Sequence, residues 1–154
     1  MDAFALDYKV KFPLSLVLSR RTILKYQMIF RFLLHLRNTE QALSAMWMEH
    51  MNESWQFPYS RPGAEEKYHD LARWRHGMFL LRARMLAFVQ QLLAFVTSQV
   101  LEPNWRRLEA SLSRVNTVDA LLRVHFDFLD TCMKECMLTS ASLMKVSVSI
   151  TERP

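Results

Sequence analysis

The sequence predicts an all-α helical bundle of long antiparallel helices with a short extended N-terminal segment. Three observations point that way. Only two Gly and five Pro occur in 154 residues, and in helix interiors these residues cost about 1 and about 3 kcal/mol respectively. Hydrophobic residues make up 51% of the chain, enough for a sizeable core. Between residues 71 and 95, apolar residues recur at alternating steps of three and four, the spacing of one helix face.

The elements follow in order. Residues 4–19 read as an extended lead-in, because Tyr8, Val10 and Phe12 alternate with Lys9 and Lys11 before Pro13. Ser19 is a good N-cap for a helix over 20–51. That helix carries a polar stripe of Arg20, Gln27, Arg31, His35 and Asn38, and apolar residues cover most of its remaining girth. Such a helix packs on more than one side. Residues 52–64 hold two Pro, one Gly and no period, and read as a loop.

A second helix is predicted over 65–101. Its seam is Leu71, Trp74, Met78, Leu81, Met85, Phe88, Leu92 and Phe95. A second row, Phe79, Leu86, Val89, Leu93, Val96 and Val100, widens the face. The combined stripe is too wide for a coiled-coil dimer and predicts a bundle core. On that reading Leu81→Asp would bury a charge in the seam. The most apolar stretch, Met85 to Leu101, is interrupted by Gln90, Gln91, Ser98 and Gln99. A membrane span needs about 20 apolar residues, so a buried helix is expected and no membrane. Pro103 starts or kinks a short helix over 104–115. Thr117 caps a helix over 118–138, with Asp119 favourably placed in its first turn. Residues 139–154 read as a truncated tail.

Net charge is +5, unevenly spread. Residues 1–37 carry +5, residues 38–72 carry −4, residues 73–114 carry +5, and the remainder carries −1. Two basic blocks around an acidic one suggest an acidic partner. The candidate partner-binding residues are Lys9, Lys11, Arg20, Arg21, Lys25, Arg82 and Arg84. Arg20 and Arg21 begin a helix, where a cation costs about 0.3–1 kcal/mol. Nothing in folding asks for them there, which points to function. Nucleic acid is the generic alternative partner, but no Lys/Arg run is interleaved with aromatics in the manner of such a domain.

Catalysis finds no motif. The chain lacks a Gly-rich phosphate loop, a GxSxG elbow and an HExxH pair. Asp127 and Asp130 share a helix face and read as solvated surface. His125, Cys132 and Cys136 also share a face, but a zinc site needs a fourth ligand and usually a tighter Cys spacing. Free cysteines are most often core residues, so neither metal nor cofactor is expected. Two cysteines four apart are no disulfide framework and fit a reducing compartment. The start of the chain has no signal-peptide pattern.

One resemblance gives these features a partner. Residues 4–43, FALDYKVKFPLSLVLSRRTILKYQMIFRFLLHLRNTEQAL, resemble the gamma-tubulin complex component family. Asp7-Tyr8-x-Val10-Lys11, then Pro13-Leu14-Ser15-Leu16 and Tyr26-Gln27-Met28-Ile29-Phe30-Arg31, are more similar to component 2 than to component 3. Leu81-Arg82-Ala83-Arg84-Met85-Leu86, Val100-Leu101-Glu102-Pro103-x-Trp105 and Phe128-Leu129-Asp130-Thr131-Cys132 agree. The resemblance implies a C-terminal domain fragment that binds gamma-tubulin, an acidic protein. It further implies association with component 3, microtubule nucleation, and a cytoplasmic place at a microtubule-organising centre or spindle pole. Family members are much longer, so seam residues that face helices outside this chain would be exposed.

Overall fold

A computed structural model describes residues 6–51 and 65–139. The predicted loop over 52–64 and most of the predicted tail lie outside the described residues. Among those described, the protein is all-α and contains no strand. Its elements are α1 (Leu14–Val17), α2 (Arg20–His50), α3 (Glu65–Ala94), a π-helical segment (Phe95–Leu101), α4 (Glu102–Leu112) and α5 (Val118–Glu135). The chain divides into two compact units. The first holds residues 1–35 and 93–154, and the second holds residues 36–92.

In the first unit, the lead-in is not extended throughout. Leu14–Val17 form one helical turn, closed by the Leu18 N–H donating to the Leu14 carbonyl. Pro13 supplies a φ suited to a helix start, and the Phe12–Pro13 peptide is cis. Ser19 caps α2: its Oγ accepts from the Thr22 N–H at 3.5 Å. Thr117 caps α5 by accepting from the Ala120 N–H.

Pro103 does not break the helix between α3 and α4. The backbone widens instead, and the Glu102 N–H reaches back five residues to the Thr97 carbonyl. A proline in an ordinary α-turn collides with the carbonyl four residues earlier. A π turn relieves that crowding while keeping the chain helical. Val96 and Val100 on this segment are 1% and 2% exposed. They pack with Leu108 of α4 and with Leu129, Cys132 and Met133 of α5 in the buried core of this unit. Asn104 is a buried link: its amide Nδ2 donates to the Val100 carbonyl and to Glu135 of α5.

Helix α5 ends at Glu135, short of the predicted 138. Met137 adopts φ 61°, and the Leu138 N–H closes on the Met133 carbonyl at 2.9 Å. This is a left-handed C-terminal closure of the kind usually built on glycine. No Gly or Pro marks it in the sequence.

The second unit pairs α2 with α3. Glu40 accepts from Gln90, the Leu43 carbonyl from Arg82, and Trp47 packs against Phe79. Partner numbers fall as α2 advances, so the two helices are antiparallel. Leu36, Leu43 and Val89 form the buried centre.

Here the predicted seam needs correction. Leu71, Trp74, Leu81, Met85 and Phe88 are exposed, Leu81 by 54% and Phe88 by 59%. The second row, with Phe79, Leu86 and Val89, is the packed one. One partner helix covers only part of a wide apolar arc, and α2 lies on the other part. The buried helix expected over Met85–Leu101 is likewise mostly exposed. By length and composition alone, His69–Leu112 could cross a membrane, and 11% of its most apolar stretch is buried.

Candidate partner-binding surface

The basic N-terminal block rests on a backbone pinned by hydrogen bonds. The Gln27 amide donates to the Leu6 carbonyl at 2.7 Å. Asp7 accepts from the Tyr8 N–H at 2.9 Å. The Thr22 hydroxyl, fully buried, donates to the Ser19 carbonyl at 2.6 Å and lies 3.3 Å from that of Val17. Lys9, Lys11, Arg20 and Arg21 are all exposed on this frame, and none joins an ion pair among the described residues.

Exposed apolar side chains accompany these cations. Tyr8 and Phe12 are 64% and 77% exposed, with Leu14 and Leu16 beside them in sequence. Of the alternating Tyr8, Val10 and Phe12, only Val10 is partly covered. A surface that mixes fixed cations with exposed aromatics suits a protein partner.

The remaining candidates differ in their surroundings. Lys25 bonds Asp130 of α5 at 2.5 Å and sits 4.9 Å over the Phe126 ring. Asp130 thus gains a structural partner while its side chain stays 65% exposed, and Asp127 is exposed as well. In the second unit, Arg82 is half-buried. It donates to the Leu43 carbonyl at 3.1 Å and stacks 4.8 Å over Trp47. Arg84 is exposed. Lys25 and Arg82 therefore hold helices together, whatever else they contact.

The His125 cluster lies in the core of the first unit. His125 Nε2 is 2.9 Å from the Tyr26 hydroxyl, and Cys132 and Cys136 are buried on the same helix. Burial pushes both thiols up to about 11, far from the thiolate that metal binding or nucleophilic attack requires. Among the described residues, no group of three His, Cys, Asp or Glu is placed to hold a metal ion.

Burial, and then the charge of Lys25, hold the His125 imidazole below its ordinary 6.5. The unfolded chain therefore binds the extra proton more readily. Stability contributed by neutral His125 is present above about 6.5 and is lost as the pH falls through that value toward the lower folded one. Urea unfolding at pH 7.5 and pH 5.5 should show a lower midpoint at the acid value. His125→Gln should shrink the difference, and an unchanged difference would remove His125 from its cause.

Comparison with known proteins then decides the family. The family model "Gamma tubulin complex component C-terminal" matches residues 1–152. The chain belongs to the gamma-tubulin complex component family. Among curated relatives, the spindle pole body component alp4 of Schizosaccharomyces pombe is 44% identical over 146 residues, covering 94% of this chain and 18% of that protein. Mouse gamma-tubulin complex component 2 is 38% identical over 146 residues, covering 95% and 15%. Human gamma-tubulin complex component 3 is 28% identical over 141 residues, covering 92% and 15%. The likeness is thus stronger to component 2 than to component 3. The chain spans less than a fifth of the length of these relatives.

Proposed function

We propose that this chain is a non-enzymatic scaffold segment of the gamma-tubulin complex that binds gamma-tubulin and supports microtubule nucleation. The family match over residues 1–152 carries this reading, and it favours a protein partner over nucleic acid. Assembly with other complex components, component 3 among them, follows the same reading. So does a place in the cytoplasm and cytoskeleton, at a centrosome or spindle pole body. No cofactor enters the role.

The contact we assign to gamma-tubulin centres on Lys9, Lys11, Arg20 and Arg21 of the first unit. Lys25 supports the first group through Asp130 rather than by direct contact. The apolar neighbours Tyr8 and Phe12 would supply contact area, and the cations orientation and association rate.

Purified gamma-tubulin should be retained by the immobilised 154-residue chain. Arg20→Glu with Arg21→Glu should weaken binding on the order of tenfold, about 1.4 kcal/mol, with an unchanged far-ultraviolet circular dichroism spectrum. Both side chains are exposed and lie outside the core, so helicity should survive. Unchanged affinity in the double variant would move the contact elsewhere. Absence of binding by the folded wild-type chain would overturn the proposed role of this segment.

A further inference from the structure

One buried group of the first unit is tied to the turn that presents the basic block. His125 is 7% exposed, and its Nε2 lies 2.9 Å from the Tyr26 hydroxyl of α2. Its Nδ1 is buried and makes no hydrogen bond among the described residues. The backbone carbonyl of Val17, the last residue of α1, acts on the same ring and favours a proton there. That carbonyl also lies 3.3 Å from the Thr22 hydroxyl, which donates to the Ser19 carbonyl at 2.6 Å. The end of α1, the start of α2 and the His125 ring thus meet at one corner. Lys11 leads into that corner, and Arg20 and Arg21 lead out of it.

The two sides of the ring are held unequally. α5 is anchored by Leu129, Cys132 and Met133, which are buried against the π-helical segment and α4. α1 packs on α5 but contains no buried residue, and Leu14 and Leu16 are 59% and 50% exposed. Apolar burial stabilises in proportion to the area removed from water, so α1 is the weaker cover. A second proton on the ring makes both nitrogens donors, and Nε2 can then no longer accept from Tyr26. Burial opposes that charge, and so does Lys25, the neighbour of Tyr26 on α2. No carboxylate among the described residues bonds the ring, because Asp130 is committed to Lys25. Burial pushes the Tyr26 hydroxyl and the Cys132 thiol up, so both stay neutral. α1 and the π-helical segment carry no titratable side chain. On α4, Glu102 pairs with Arg106, Arg107 reaches Asn104, and Glu109 is exposed. A charged ring regains water only when its cover moves.

We propose that His125 is a positioning residue for the basic block: its protonation releases the corner between α1 and α2, and with it the fixed arrangement of Lys11, Arg20 and Arg21. The regulatory side of this inference rests on the reading of that block as the gamma-tubulin contact. The neutral ring holds the corner above about 6.5, and the corner opens as the pH falls through the lower folded value. Binding must then first restore the corner, which lowers affinity by the fraction of chain that keeps it closed.

The full 154-residue chain is titrated from pH 7.5 to pH 5.5 by nuclear magnetic resonance, over the range in which its helical spectrum is constant. The His125 ring signals and the amides of Leu18, Thr22 and Ile23 should shift with one shared midpoint. These amides donate to the Leu14 carbonyl, the Ser19 hydroxyl and the Ser19 carbonyl. Their protection from hydrogen exchange should fall about tenfold at the acid end, while that of Leu129 stays constant. His125→Gln, whose amide can still meet the Tyr26 hydroxyl, should keep the corner protected throughout. Affinity for purified gamma-tubulin should fall about threefold further for the wild-type chain than for His125→Gln between the same pH values.

Corner amides that do not follow the ring would overturn the proposal, and this comparison needs only the wild-type chain. So would a loss of protection shared equally by Leu129, which would make His125 a general stabiliser. Equal pH dependence of binding in wild type and His125→Gln would overturn the regulatory role. Absence of gamma-tubulin binding at both pH values would overturn that role together with the reading of the block, even where the corner amides follow the ring.

Discussion

Val89→Asp is expected to destabilise the protein by about 4 kcal/mol or more, while Leu81→Asp on the same helix changes stability by no more than about 0.5 kcal/mol. Val89 is 7% exposed and lies among the buried residues of the second unit. A carboxylate there loses most of its water. Leu81 is 54% exposed, so a carboxylate at that position keeps most of its hydration. Thermal melts followed by circular dichroism should separate the two variants clearly. If they melt alike, the assignment of packed and open faces on α3 is wrong. The contrast also reverses the expectation from periodicity alone, which places Leu81 in the core.

Leu129→Ala should cost about 2–5 kcal/mol, the range for a leucine truncated in a packed interior. Leu129 is 0% exposed and lies three residues before Cys132, which is also fully buried. It occupies the middle of α5, against the segment carrying Val96, Val100 and Leu108. Little room exists for backbone collapse, because helices on both sides are tied by Asn104–Glu135 and Lys25–Asp130. Urea unfolding should show a lowered midpoint with an unchanged slope. Leu112→Ala is the control: that side chain is 41% exposed and should cost far less.

Much of the helical layout is legible in the amino-acid sequence. The Ser19 and Thr117 caps rest on short-range chemistry, and short-range chemistry can be read from adjacent residues. What cannot be read depends on distant neighbours. Apolar spacing in α3 marks a wide stripe, but only the position of α2 decides which side of it is covered. Lys25 reads as an available cation because its partner, Asp130, lies 105 residues away. Arg82 reads as equally available, though a ring and a carbonyl on α2 occupy it. The early end of α5 has no local marker, since a methionine takes the backbone conformation that glycine usually marks. The family resemblance is legible because it is spread along the chain, and it needs no knowledge of which face is buried.

The π turn before Pro103 bears on how side chains keep phase along a helix. Val96, Val100, Asn104 and Leu108 are all buried, and they follow at successive steps of four. An ideal helix completes a turn in 3.6 residues, so a row stepped by four drifts steadily around it. The wider turn takes up that drift and keeps all four on one side. Continuing the α3 heptad past Phe95 without it would select Gln99, Glu102, Arg106 and Glu109, all of which are exposed. The extra residue thus works as a phase correction. It keeps Val96 and Val100, the end of the second row, in register with Asn104 and Leu108 of α4. A change of one residue in length within 95–101 would turn Asn104 and Leu108 of α4 away from α5.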